Sequence, residues 1–487
     1  MDFMAILTSL VGMLAVIWLS WKVKKSRNIN ATLPPGPCGL PLVGYLPFLG
    51  THLHRKFTEL GEVYGPIYKL WLGNKLCVVV SSPSLVKEVV RDNDIVFANR
   101  DTSIAARAIT YDANDIGWCP YGAKWRKLRK IFVGKMMSNA SIDACYTLRK
   151  REIKNTIRDV YCNRIGKTVD IGELSTATSI NVVQNMLWGA SFELGQKGTN
   201  LGVELRKMLA ELMVLLGTPN LSDIFPVLSW LDIQGIERKT KHILSWFEKI
   251  VYSAIEQRTN MVNDEQKDFL QFLLDLKEHE DRENSITIIQ LKALLMDIIL
   301  LQHQEIMRKV QQELAEVVGM FSSVEEFHLR ELRYLDAVVK ETLRLHPALP
   351  LLVPRSPSQS STIGGYTIPK GTRVMLNVWA IHRDPALWEN PLEFKPERFL
   401  DDPEKFDYLG NNFKYVPFGS GRRMCAGIPL AERVLMFILA SLLHSFEWKL
   451  PDGAELNLTE KFGIVIKKSE PLIAIPTPRL SNSELYY

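Results

Sequence analysis

One thiol offers the most specific chemistry in this chain. The stretch Phe418-x-x-Gly421-x-Arg423-x-Cys425-x-Gly427 surrounds Cys425 with glycines at 419, 421 and 427, which let the backbone turn tightly about one sulfur. Pro429 follows at a place where the first turn of a helix accepts proline, and the residues after it are nearly all apolar. A sulfur just ahead of a helix meets the positive end of its dipole. Arg422 and Arg423 add charge beside it, so the thiolate form is favoured. A lone thiolate in such a loop suits a metal that takes a single protein ligand, which is haem iron. A buried structural cysteine in a loop is the alternative. The other five cysteines, Cys38, Cys77, Cys119, Cys145 and Cys162, form no Cys-x-x-Cys clip. A body of this size needs no disulfide staples, and all six thiols are expected reduced.

The elements that must hold this loop read as mostly helical. Tyr334–Leu345 carries Leu335, Val338, Val339 and Leu343 at helical spacing and is stopped by Pro347. Glu341 and Arg344 lie three apart on that helix and share a face, and Pro396-Glu397-Arg398-Phe399 supplies a further arginine later in the chain. Trp125 and Arg129, four apart, can offer an indole N–H and a guanidinium to one partner. Leu430–Leu443 is apolar all round, as a buried helix would be. Strand-like runs occur at Ile67–Leu72, Cys77–Val80 and Arg373–Val378, the last after the turn Pro369-Lys370-Gly371. The expectation is a mainly α chain with a minor β part, folded as one large unit.

Composition narrows the function classes. The chain has 487 residues, 46% hydrophobic and 23% charged, an ordinary globular balance that excludes disordered, fibrous and polytopic membrane classes. A net charge of +5 over this length does not point to nucleic acid. No Gly-x-Ser-x-Gly elbow or His-Glu-x-x-His pair supports a hydrolase.

The run Phe3–Trp21 carries no charge and spans about 28 Å as a helix, close to the thickness of a bilayer core. Trp18 and Trp21 stand at its end as interfacial anchors would. Lys22, Lys24, Lys25 and Arg27 follow, which places the rest of the chain in the cytosol. A cleaved signal peptide would want basic residues ahead of the run, where Asp2 stands instead. Residues 1–33 are therefore expected to be a transmembrane anchor and linker, ending at the stiff Pro34-Pro35-Gly36-Pro37 hinge, with the body at 34–487.

The Cys425 loop, with Glu341-x-x-Arg344, Pro396-Glu397-Arg398-Phe399 and Trp125-x-x-x-Arg129 in order before it, resembles the cytochrome P450 family of haem-thiolate monooxygenases. Leu345-His346-Pro347 and Trp379-Ala380-Ile381-His382-Arg383-Asp384-Pro385 look like a plant microsomal member. The resemblance implies the cytochrome P450 fold and haem b, with iron bound by Cys425. It assigns Trp125, Arg129, Arg355 and Arg423 to the haem propionates, and Glu341, Arg344 and Arg398 to a buried network behind the haem. It implies insertion of one atom of O2 into a C–H bond. With no Gly-x-Gly-x-x-Gly fingerprint in the chain, electrons must come from outside, through NADPH–cytochrome P450 reductase. Lys124, Arg126, Lys127, Arg129 and Lys130, with Arg422 and Arg423, form a basic patch that would steer that acidic partner. The implied location is the endoplasmic reticulum membrane, single-pass, with the catalytic body cytosolic and in contact with lipid. Stretches matching the family's substrate regions are Arg107–Trp118, Ala348–Val353 and Phe462–Val465. The last two are almost wholly apolar, which favours a small apolar plant metabolite, a sesquiterpene-like terpenoid before a flavonoid or other phenylpropanoid.

One stretch departs from the family. Its central helix over the haem carries a small-residue kink and an acid–alcohol pair that relays protons. Here Thr287-x-x-Gln290 opens such a helix, but Ile298-Ile299-Leu300-Leu301 runs straight into Gln302-His303-Gln304-Glu305, and about 18 residues, some five turns, are missing. One uninterrupted helix from Thr287 to Val318, closed by Gly319, is one outcome. No catalytic pair can be named, and His303 and Glu305 read as a surface connection. The chain is then a mis-spliced or mis-predicted form of a normal enzyme, an impaired or silent haem-binding relative, or a rewired active site.

Overall fold

A computed structural model describes residues 32–188, 201–260, 304–401, 406–454, 457, 459–461, 463 and 465–487. The anchor Phe3–Trp21 and the helix start at Thr287 lie outside the described residues. In chain order the longer helices are α1 (Leu53–Tyr64), α2 (Ala123–Ile131), α3 (Tyr146–Asp159), α4 (Ile171–Trp188), α5 (Leu201–Gly217), α6 (Ile236–Asn260), α7 (Gln304–Val317), α8 (Arg333–Leu345) and α9 (Ile428–Ser445). The strands are β1 (Ile67–Leu72), β2 (Lys75–Val80), β3 (Asn99–Arg100), β4 (Val169–Asp170), β5 (Arg355–Ser356), β6 (Ser361–Ile363), β7 (Tyr366–Ile368), β8 (Arg373–Leu376), β9 (Phe446–Lys449), β10 (Glu460–Lys461), β11 (Lys467–Lys468) and β12 (Ile473–Pro478). The expected strand at 373–378 stops at Leu376, because Asn377 caps a short helix, Val378–Ile381, through the Ala380 N–H.

The main sheet runs in the order β1-β2-β8-β5-β3. Side chains alternate across it and both faces are covered. Ile67, Val78, Val80, Val374 and Leu376 enter one apolar cluster, while Tyr68, Leu70, Cys77, Val79 and Met375 enter another against Phe57 and Leu60 of α1. Register matters most at the far edge. There β3 pairs antiparallel with β5 and sets Arg100 directly opposite Arg355.

The largest cluster surrounds α9, whose all-round apolar sequence is explained by its place. The helix is long and apolar enough to cross a membrane, yet 83% of it is buried inside the protein. Helix α7 turns Ile306, Met307, Val310 and Leu314 inward and leaves Glu305 exposed. Its Glu313 accepts hydrogen bonds from Tyr334 N–H at 2.6 Å and Leu335 N–H at 3.0 Å, capping α8 from outside. All six cysteines are free.

Helix α8 buries the charged group behind the cysteine loop. The Glu341 carboxylate accepts a bidentate pair from Arg344 at 2.6 and 2.9 Å, a third bond from Arg398 at 3.1 Å, and a fourth from Lys395 N–H at 2.8 Å. Arg344 spends its remaining donors on the carbonyls of His382, Pro391 and Glu393. Such a set is satisfied only when complete, and removing one partner would strand buried charge at a cost of about 3–5 kcal/mol.

His382, wholly buried beside this group, accepts the Val416 N–H on Nε2 at 3.1 Å and stacks on Tyr415. Burial, then the nearby Arg344 and Arg383 charges, push its pKa down to about 3. A neutral imidazole in the fold and an ordinary one in the unfolded chain mean that only the unfolded state takes up a proton between those values. Stability is therefore whole above pH 6.5 and falls as pH drops toward 3, by on the order of 4 kcal/mol if this group acts alone. Melting temperatures measured from pH 7 to pH 4 should fall less steeply in His382→Gln than in the parent, and parallel slopes would refute the assignment.

Candidate active site

The loop that carries Cys425 is positioned from both ends. Upstream, the buried Tyr415 donates its hydroxyl to Lys340 O at 3.0 Å, Val416 N–H binds His382, and Ser420 Oγ donates to Gly410 O at 2.7 Å. Two of its three glycines are required conformationally. Gly419 and Gly421 hold φ of 74° and 70°, and a Cβ at Gly421 would stand 2.2 Å from Val90 O. Gly427 has φ −89° and serves instead as the residue that opens α9. Between them the turn Gly421–Arg423 brings Cys425 N–H to Phe418 O at 3.1 Å, and the half-buried thiol faces a cavity of about 280 Å³.

The cavity has a cationic side. Arg100, Arg129, Arg355 and Arg423 all line it. Arg423 is the most heavily engaged, donating to the carbonyls of Ala98, Ile116, Gly117 and Cys119 with its guanidinium over the Trp125 ring. Arg355 donates to Ser420 O at 2.8 Å and Phe97 O at 3.4 Å, with Asp94 at 3.7 Å. Burial pushes the pKa of each down to about 10, with Asp94 opposing it at Arg355 and the Arg355 charge adding to it at Arg423. Arg100 is shifted furthest, by burial and then by the charges of Arg355, Arg423 and Arg129. Its Nε, buried, has no hydrogen-bond partner among the described residues. Arg129 is lowered by burial, against the pull of Cys425. Trp125 donates its indole N–H to Ile116 O at 3.0 Å, and the Arg129 guanidinium lies 5.9 Å from the centre of its ring.

Among the described residues two carboxylates answer these four cations. Asp94 is shared with Arg422, and Asp115 is occupied by the N–H groups of Gly117 and Trp118. The cluster is short of about two negative charges, and buried charge without a counter-ion is costly. A flat apolar ligand with two carboxylates, carrying a metal that takes one thiolate, answers every feature of this donor set. Haem b is such a ligand.

The remaining wall is apolar. All three expected substrate stretches reach it: Ile116 and Trp118, then Leu349, Leu352 and Val353, then Val465, with Phe462 outside the described residues. Sequence reasoning missed Arg100, and it missed the contributions of α4 and α5, among them Met186 and Met213. No local signal in α4 or α5 marks the side chains that reach the cavity, because that depends on how the helices pack.

Comparison with known proteins agrees with this geometry. The Cytochrome P450 family model matches residues 34–475, and the chain belongs to the cytochrome P450 family. The geraniol 8-hydroxylase of Swertia mussotii is 38% identical over 98% of this chain and 100% of that protein. The flavonoid 3'-monooxygenase of Petunia hybrida is 36% identical over 92% of each. A zebra fish cytochrome P450 solved with progesterone superposes with a TM-score of 0.74, at 25% identity over 87% of this chain and 99% of that one. The protein is a monooxygenase whose prosthetic group is cysteine-ligated haem b, and which uses O2, a small-molecule substrate and a redox partner. The Swertia alignment runs over 504 positions yet takes in 98% of 487 residues, about 477, so at about 27 positions the relative has no counterpart here.

Two substitutions separate the roles of thiol and cations. Cys425→Ala should abolish the thiolate-specific absorption of the reduced, carbon-monoxide-treated protein. Arg129→Met should keep that absorption but lose haem about ten-fold faster to an apo-globin acceptor, without lowering the melting temperature of the haem-free chain. An unchanged spectrum in the first variant, or unchanged haem loss in the second, would contradict these assignments.

Proposed function

We propose that this protein hydroxylates a small apolar plant metabolite, a sesquiterpene-like terpenoid in preference to a flavonoid or phenylpropanoid, with electrons passed from NADPH by a reductase. The lining of the cavity carries this reading. Apart from the arginines, Asp115 and Cys425 itself, the described lining residues have no hydroxyl, amide or charged side chain. A polyhydroxylated flavonoid would leave its polar groups unpaired on such a wall, at a cost that a terpenoid avoids. Relatives named as geraniol 8-hydroxylases and as flavonoid hydroxylases are equally similar, so the preference rests on the wall alone.

In this reading Cys425 binds the iron, while Arg100, Arg129, Arg355 and Arg423, backed by Trp125, neutralise the propionates. Glu341, Arg344 and Arg398 keep the loop in place and do no chemistry. Bound in this way, thiolate-ligated haem activates O2 for insertion into a C–H bond. The apolar wall orients the substrate and excludes water.

Exposed Lys124, Arg126, Lys127 and Lys130 on α2, near the exposed Arg422, offer a basic face to an acidic reductase. The run Phe3–Trp21 supports a single-pass anchor in the endoplasmic reticulum membrane, with residues 34–487 as a cytosolic haem domain. The exposed apolar side chains Val227, Leu228, Trp230, Leu231 and Ile233, close together between α5 and α6, suit contact with the same lipid surface.

A second reading is favoured by one observation: the positions at which relatives have no counterpart here, together with the shortened stretch after Asp297. A protein without positioned proton transfer would bind haem and ligand yet turn over about 10²–10⁴ times more slowly.

Reconstitution with reductase, NADPH and geraniol, beside a flavonoid, tests the first reading. Hydroxygeraniol formed per haem faster than any flavonoid product supports it, product from the flavonoid alone overturns it, and full haem content with no NADPH consumption across a panel of terpenoids and flavonoids favours the silent relative. Lys127→Glu with Lys130→Glu should slow reduction of the haem at low salt with haem content intact. Equal reduction rates would remove the docking assignment.

A further inference from the structure

Glu460 opens the hairpin of β10 and β11, and its carboxylate is nearly covered, at 6% exposure. It gathers groups from elements far apart in the chain. Arg55 on α1 donates to it at 3.2 Å, and His346, just past the end of α8, donates from Nδ1 at 3.3 Å. Nε2 of the buried His54 lies 3.7 Å away. The Trp379 ring backs this cluster, meeting His54 edge-on at 4.4 Å and carrying the Arg383 guanidinium 3.2 Å from its centre. Burial by itself would raise the Glu460 pKa. The contacts with His346 and His54 and the charge of Arg383 outweigh it and hold the carboxyl well below its usual range.

What this carboxylate holds is the cavity wall. His346 leads into Leu349, Leu352 and Val353, and Glu460 leads into the hairpin tip whose Val465 faces the same cavity. Ile466 N–H donates to Ala348 O at 2.9 Å, tying the two strips together near their middle. The hairpin's strands have only two residues each, too few to fix its position by backbone pairing. Beyond the Ile466–Ala348 backbone bond, its aim relies on side-chain contacts at the base, and Glu460 makes the buried ones.

We propose that Glu460 is a positioning residue for the monooxygenase reaction: it locks the apolar strip 348–353 against Val465 and Ile466 and so sets the width of the cavity at Cys425. The inference rests on the haem and substrate reading given above. Glu460 itself lies outside the lining and touches neither haem nor substrate.

Two iron-binding probes read this directly in the full-length haem protein. Imidazole needs only the iron, whereas 4-phenylimidazole must also fit the wall. Glu460→Gln should leave the reduced carbon-monoxide spectrum and the imidazole Kd unchanged while weakening 4-phenylimidazole about ten-fold. Arg55→Met removes a partner from the half-exposed side of the cluster and should weaken the same probe about three-fold, which decides the matter if the glutamine variant does not accumulate. Equal changes for both probes, or none for the phenyl compound, would overturn the proposal. A parent protein giving no imidazole band at all would overturn the haem reading first and this inference with it, so the two failures are told apart.

Discussion

Four guanidiniums gathered around one cavity, Arg355 and Arg423 buried and Arg100 and Arg129 half-buried, are the constraint on which the rest of this structure depends. Each lowers the charge its neighbours can keep, and the carboxylates at hand, Asp94 and Asp115, are already shared or hydrogen-bonded. A fold tolerates such an arrangement when a ligand completes it. The proteins that resemble this one carry a dianionic porphyrin, whose charge is what the cluster lacks. Around that centre the fold is arranged by distance from the charge. Backbone carbonyls of 98, 116, 117 and 119 engage Arg423, the sheet edge pairs Arg100 with Arg355, and α9 begins directly behind the thiol.

A second set of charges sits farther back and is balanced without a ligand. Glu341 between Arg344 and Arg398 has every oxygen and most donors engaged. The contrast is informative. A group satisfied by protein alone maintains a loop, whereas one left short of partners waits for something to bind. The same distinction places Glu460 with the first kind, although what it maintains is the shape of the wall and not the cysteine loop.

Much of this was legible in the sequence where the determinants are local. The Cys425 loop announces itself through glycines and a helix start within ten residues, and α8 through apolar residues at helical spacing. Trp125 and Arg129 were legible as a pair, but not the Ile116 carbonyl that takes the indole N–H, because that contact depends on how the loop before α2 folds back. Arg100 was invisible for a similar reason. Its partner across the sheet lies 255 residues later, and no periodicity links two-residue strands so far apart. Glu460 carries no signal of its own in the sequence, where it stands just ahead of the apolar stretch Phe462–Val465. Only the packing of α1, the end of α8 and the hairpin turns it into a buried junction.

The distribution of these groups also bears on how a shortened distal stretch would act. Among the described residues, those proposed to hold the anionic ligand and to brace its site come from 94–129 or from 341–425, and the loop that carries the thiol is braced by α8 and α9. Nothing in that set draws on the residues around Asp297. On the proposed function, haem retention rests on described residues that a shortened stretch after Asp297 does not remove. On that reading turnover is lost before haem is. For that reason a haem spectrum and a turnover number measure two different properties of this chain.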